Sequence, residues 1–209
     1  LSKAISNLRN IAVGEGCFPS VHKRAQLLPL LKKPSLDNSI LSNFRPISNL
    51  TTISKIIERT VLKRVQPHII TNSNYSLYQS AYRSCHSTET ALLHILDNVF
   101  HSCDSKKATL LAGLDLSAAF DTISHSTLLD RLHNEFGISG SVLLWFASYL
   151  SGRSQFVKLG GCSSSSVLIT SGVPQGSVLG PLLFTTYISP VCSIISEQNV
   201  PYHQYADDT

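Results

Sequence analysis

A chain of 209 residues with 43% hydrophobic and 14% charged residues is long enough to bury a core and too poor in charge to be a disordered tail. Its net charge of +4 hides a split: eleven Lys/Arg face three acids up to Ile70, a balance of +8, whereas six face ten from Thr71 onward, a balance of −4. A basic half joined to an acidic half suits a molecule that grips phosphates with one part and holds cations with the other.

In chain order, Leu1 to Asn10 is weakly amphipathic and predicts a short helix, broken by Gly14, Gly16 and Pro19. His22 stands where an apolar residue is expected. Ala25 to Leu31 reads as a strand running into Lys32-Lys33-Pro34 and a polar turn over Ser35 to Ser39. After Phe44-Arg45-Pro46-Ile47, the residues Ile53, Ile56, Ile57, Val61 and Val65 recur at helical spacing, and Pro67 sets the expected end. A second helix is predicted from an N-cap at Ser87, with Glu89 in its first turn, burying Leu92, Ile95, Leu96 and Val99. His86 and Glu89 read as capping residues there. Cys103 to Lys107 is a loop before a strand that ends at Asp115, interrupted by Gly113. Two helical stripes follow: Leu128, Leu129 and Leu132 closed by Gly137, and Val142, Leu143, Phe146 and Leu150 closed by Gly152. Gln155 to Leu159 and Val167 to Thr170 predict a hairpin, and Val178 to Ile195 a buried helix despite Pro181 and Pro190.

Five cysteines, at 17, 85, 103, 162 and 192, are odd in number and form no C-x-x-C pair, so neither a disulfide framework nor a zinc site is indicated. A reducing compartment is the simpler expectation. No charged-then-apolar leader opens the chain, and the strongest apolar runs, Val142 to Leu150 and Val178 to Phe184, are too short to cross a bilayer. The alternation of elements predicts an α+β fold: a mainly antiparallel sheet backed by helices, with a basic, helical N-terminal lobe.

The chemistry concentrates in two stretches. Tyr205-Ala206-Asp207-Asp208 follows a β-prone segment, and Asp115 ends the apolar run from Leu110. Two such strands side by side would present three acids at one edge. Magnesium is small and hard and is usually held by one or two carboxylates plus substrate phosphates. A pair of such ions about 4 Å apart can activate a hydroxyl and stabilise the leaving oxygen of an in-line phosphoryl transfer. Asp-Asp alone is weak, because Asp also favours solvated turns.

Further blocks lie in order along the chain: Pro29 to Pro34, Asn43 to Leu50, Ser54 to Glu58, Gln79 to Arg83, His86 to Leu92, Leu114 to Asp121, Gly172 to Pro181 and Tyr205 to Thr209. Together they resemble the reverse transcriptase domain of non-LTR, LINE-type retrotransposons of the chicken-repeat and jockey-like branches. The resemblance implies right-hand polymerase fingers over 1–105 and palm over 106–209. It matches Asp115, Asp207 and Asp208 to the family's catalytic, metal-binding carboxylates, with the Leu116 carbonyl as an extra ligand. Two magnesium ions, replaceable by manganese, are implied. Phe120 matches the steric gate beneath the incoming sugar. Gln175 and Gly176, with Pro174 beside them, match the loop along nucleotide and template, where glycine lets backbone approach closely. Lys33 and Arg45 match fingers residues that clamp the triphosphate, and Arg83 a nucleic-acid contact. The partners implied are an RNA template, a DNA primer and deoxynucleoside triphosphates, with an intracellular location in nucleus and cytoplasm.

Family members continue past the second acid with the rest of the palm and a thumb. A fragment or truncated copy with little polymerase activity alone is therefore the expectation. Two other readings stay open. An RNA-dependent RNA polymerase shares the acids, with Asp121 recast as a ribose sensor, although Phe120 argues against it. A catalytically inactive module that binds RNA through the basic lobe is the reading from another class.

Overall fold

The computed structural model describes residues 14–209; the helix expected over Leu1 to Asn10 lies outside them. Its fold is α+β, as expected. The sheet has β1 (Arg24–Leu31) at its centre, antiparallel to β2 (Phe44–Asn49) and parallel to β3 (Arg153–Leu159). Strand β3 turns through β4 (Cys162–Ser163) into β5 (Val167–Ile169), and both pair antiparallel with β3. The expected strand and hairpin are present, and Phe44 to Ile47, for which no element was expected, forms β2 and gives β1 an antiparallel partner. Pro29 faces Pro46 in the β1/β2 register, beyond the stretch of β1 that β3 covers. Prolines, which have no N–H to donate, are tolerated at such edges.

The described residues also form five α-helices: α1 (Thr52–Ile70), α2 (Thr88–Asp104), α3 (His125–Asn134), α4 (Gly140–Leu150) and α5 (Gly180–Glu197). Thr51 caps α1 by accepting from the Ser54 N–H. The helix does not end at Pro67 but runs one turn further. Ile69 in that turn is fully buried, and His68 bonds the Phe136 carbonyl at 2.7 Å, so tertiary anchoring outweighs the local penalty of proline. Its buried face is Ser54, Ile57, Glu58, Val61, Val65 and Ile69; Ile53 and Ile56 are exposed. His22 is buried where an apolar residue was expected, its Nδ1 3.0 Å from the Thr51 hydroxyl, and burial lowers its pKa.

The core joins α1, α3, α4 and α5. Phe18 packs edge-on against Trp145 and Tyr149, with centroids at 5.6 and 5.2 Å, while Trp145 and Tyr149 stack at 5.4 Å. Such geometries suit the ring quadrupoles. The stripes expected for α3 and α4 are seated here, and α5, with Pro181 in its first turn, has its buried residues between Gly180 and Cys192 but is exposed at its last turn, where Ile194 is 61% exposed.

Helix α2 departs from expectation. Ser87 caps it, in a reciprocal box with Thr90, but of its residues only Ala91 is buried. Leu92, Leu96, Ile95 and Val99 are exposed or half-exposed, because among the described residues no element packs closely over that face. His86 does not cap either: its Nδ1 bonds the Ser84 carbonyl at 2.9 Å. Glu89 sits in the first turn, where hydrogen bonding, led by Ser87, lowers its pKa. Residues 108–116 form no strand, and Val200 to Tyr205 makes only isolated pairs, Gln79 with Gln204 and Tyr205 with Asp208. All five cysteines are free, and no helix among the described residues is long and apolar enough to cross a membrane.

Candidate active site

The acid pair sits in a tight turn. Tyr205 N–H donates to the Asp208 carbonyl at 2.9 Å and Asp208 N–H returns a bond to Tyr205 at 3.2 Å. Between them Ala206 adopts φ 58, a left-handed conformation that costs an L-residue other than glycine roughly 1–2 kcal/mol. Strain of this kind gathers at functional sites and persists only where the surroundings hold it.

Asp115 is brought to this turn by backbone pairing. Leu114 N–H donates to Thr209 O at 2.7 Å, and Thr209 N–H to Leu114 O at 2.9 Å. Reciprocal bonds of this kind mark a hydrogen-bonded antiparallel pair, and the register that follows sets Asp115 opposite Asp208. Side chains so opposed have Cβ atoms about 4.5–5.5 Å apart, and like charges there are destabilising. Both residues are exposed and line one cavity of about 590 Å³ with Gly113, Tyr205 and Thr209. Asp207 is half-buried and absent from that lining. It lies toward Tyr82, whose phenol is pushed up by burial and then by Asp207 and Tyr205. Among the described residues no three His, Cys, Asp or Glu side chains converge closely enough to hold a metal ion. Asp115 and Asp208 come together, and Asp207 faces elsewhere. Opposed hard oxygen donors beside an open cavity suit an ion like magnesium, which takes few protein ligands and completes its shell with water and phosphate.

The second wall is the loop Gly172 to Val178. Gly172, at φ 83, would drive a Cβ to within 2.8 Å of the Asp121 carbonyl oxygen, so only glycine permits the approach. Its N–H bonds Ile123 O, and Val173 N–H bonds Phe120 O at 2.8 Å. Phe120 is half-buried and stacks on Phe184 with centroids at 5.1 Å. Gln175 accepts the Ser48 N–H of β2 at 2.7 Å, and Gly176, at φ 99, lies over Ile47 and Ser48. Pro174, Gln175, Asp121 and Arg153 share a cavity of about 310 Å³ with Pro46 and Ser48. Partial burial raises the Asp121 carboxyl. Lys33, just past β1, and Arg45 on β2 are exposed at the far end of the hairpin, neither in an ion pair. Arg83 is instead turned inward, donating to the carbonyls of Leu77 and Gln79.

Three residues that shape the site went unnoticed in the sequence. Glu58, fully buried, accepts the N–H groups of Val178 and Leu179 at 2.8 and 3.2 Å, the Ser54 hydroxyl at 2.8 Å and the Tyr149 hydroxyl at 3.3 Å. It thus satisfies the buried N–H groups at the start of α5, with Ser177 Oγ taking the Gly180 N–H. Burial and the Glu58 charge push the Tyr149 phenol up. Arg153, 1% exposed, bonds the Tyr149 carbonyl at 2.9 Å and stacks over the Tyr149 ring. Gln79 holds the acid turn itself. The available signal for Glu58 was a charge on the apolar face of α1, and for Gln79 its place in the block ending at Arg83.

A family model described as "Reverse transcriptase (RNA-dependent DNA polymerase)" matches residues 31–209. The RNA-directed DNA polymerase from mobile element jockey of Drosophila melanogaster is 31% identical over 206 residues, covering 96% of this chain and 22% of that protein. A probable RNA-directed DNA polymerase from transposon X-element of the same fly is 31% identical over 161 residues, 77% of this chain and 18% of that protein. The chain therefore spans about a fifth of the length of these curated relatives. A structure of apo telomerase from Candida tropicalis superposes with a TM-score of 0.60 over 97% of this chain and 48% of that one; at 12% identity this shows a shared fold. With the family model covering most of the chain and mobile-element polymerases among its relatives, this protein belongs to the reverse transcriptase family, in its non-LTR, LINE-type branch.

Proposed function

We propose that the chain carries the nucleotidyl-transfer centre of an RNA-directed DNA polymerase that extends a DNA primer on an RNA template in retrotransposition. The observation that carries this reading is the Leu114/Thr209 pair, which sets Asp115 opposite Asp208 at the mouth of an open cavity. Two opposed carboxylates repel unless a cation sits between them. Asp115 and Asp208 would hold magnesium, with Asp207, in the same turn as Asp208, as the third acid beside them. Bound there, the metal pair supplies charge neutralisation and lowers the pKa of the primer 3′-hydroxyl that attacks the α-phosphate. Manganese can substitute.

The chain's own residues supply position. Lys33 and Arg45, free at the hairpin end, take the triphosphate, Arg through its fork and Lys as a point charge. Phe120, held from below by Phe184 and alongside by Gly180, leaves no space beneath the sugar for a 2′-hydroxyl. Gln175 and Gly176, docked on β2, form the platform over which the paired nucleotide lies, with Pro174 behind them. Arg83 reaches nucleic acid only with the guanidinium nitrogens left free by Leu77 and Gln79. An intracellular site of action, in nucleus and cytoplasm, accompanies this reading.

The test is binding of a deoxynucleoside triphosphate to the 209-residue chain by calorimetry, with and without magnesium. Binding should require the metal, vanish in Asp115→Ala and Asp208→Ala, weaken about tenfold in Arg45→Ala, and favour deoxy- over ribonucleotide in a manner lost in Phe120→Ala. Magnesium-independent RNA binding that survives Asp115→Ala, with no metal-dependent nucleotide binding, would overturn the reading.

A further inference from the structure

The side chain of Gln79 is 2% exposed and bonds the acid turn at both ends of one residue. Its Oε1 accepts the Ala206 N–H at 3.0 Å, and its Nε2 donates to the Ala206 carbonyl at 3.2 Å. The same Oε1 also accepts the Ala81 N–H at 3.0 Å, which locks the amide's orientation. One step earlier along the chain, backbone alone does this work. Gln204 N–H donates to Tyr78 O, and Ser80 N–H donates to Gln204 O, both at 2.9 Å.

Residues 204 and 206 are two positions apart and present their backbone groups to the same neighbour. The 78–80 backbone reads the first; at the second, the Gln79 carboxamide stands in for a peptide group. It reaches where no strand continues and satisfies a residue in left-handed conformation at φ 58, whose N–H and carbonyl are buried. From these contacts we infer that Gln79 is a positioning residue for Asp207 and Asp208, setting the turn that aims both carboxylates. The inference rests on the proposed role of those acids as cation ligands.

Only a carboxamide of this length offers a donor and an acceptor at that spacing. Glutamate keeps the acceptor but, ionised, faces the Ala206 carbonyl with a second negative oxygen; protonated, it regains a donor. The acid form of Gln79→Glu therefore mimics the native amide.

The experiment is manganese binding to the 209-residue chain followed by electron paramagnetic resonance between pH 6 and 8.5, with folding monitored by near-ultraviolet circular dichroism. Wild-type manganese binding is the reference against which both variants are read at each pH. Gln79→Ala should bind about tenfold more weakly at pH 8 while folded. Gln79→Glu should be weak at pH 8 and recover toward wild-type affinity as pH falls, as the introduced carboxyl regains its donor. Should Gln79→Ala unfold, the recovery of Gln79→Glu as pH falls decides alone. Wild-type affinity and pH dependence in both variants would overturn the inference, provided Asp115→Asn and Asp208→Asn weaken binding in the native background. Indifference of wild-type binding to those two substitutions would remove the reading of the acids, and this inference with it.

Discussion

The loop from Gly172 to Val178 and the segment from Ala108 to Leu116 both carry residues of the site, and they are held in opposite ways. The first is tied down by Glu58, by Ser48 of β2 and by the turn at Phe120 to Ile123, over a core in which Leu179, Leu183 and Phe184 are buried. The second is attached to the acid turn through the reciprocal Leu114/Thr209 pair, and Leu110 beside it is 94% exposed. With α2 and the end of α5 it walls an apolar groove of about 610 Å³. One wall of the site is thus rigid platform and the other is locally weak. Local stability follows buried contacts and backbone bonds, so the two walls open at different free energies.

The largest effect should come from the platform's anchor. Glu58→Ala leaves the buried Val178 and Leu179 N–H groups and the Ser54 and Tyr149 hydroxyls without their acceptor, and should cost about 3–5 kcal/mol in urea unfolding. A loss under about 1 kcal/mol would mean the loop stands without it. Next, Leu132→Ala in the core should cost about 2–5 kcal/mol, whereas Leu93→Ala on α2, at 66% exposure, should stay within about 0.5 kcal/mol. Equal costs would erase the contrast. In hydrogen exchange, amides of Leu183 to Thr186 should be protected to near the global limit, while those of Leu110 to Gly113 exchange almost freely.

The smallest effect concerns pH. Burial, with His94 and then His86 nearby, lowers the His203 pKa from 6.5. The unfolded chain then binds the proton more tightly, so the stability this residue contributes is complete above pH 6.5 and is lost as pH falls through the lower folded value. Stability curves of wild type and His203→Gln should diverge only below that pH. Parallel curves down to pH 5 would exclude it.

Much of this was readable in the residues. Leu128 and Leu132, Phe146 and Leu150, and the run from Val178 found the burial their spacing predicts, because each stripe meets another apolar stripe. Leu92, Ile95, Leu96 and Val99 have the same periodicity and remain largely uncovered, because periodicity defines a face and not what lies against it. Pro67 was misread for the converse reason: a local breaker loses to Ile69 buried beneath it.

The order of motifs, the acids at 115, 207 and 208 and the glycines at 172 and 176 follow from the amino-acid sequence alone, since chemistry and backbone freedom are properties of single residues. Which acids meet, how Glu58 finishes a helix more than a hundred residues away, and how Gln79 grips Ala206 were decided only in three dimensions. Long-range hydrogen bonds leave no period in a sequence; they depend on where two remote segments stop relative to each other.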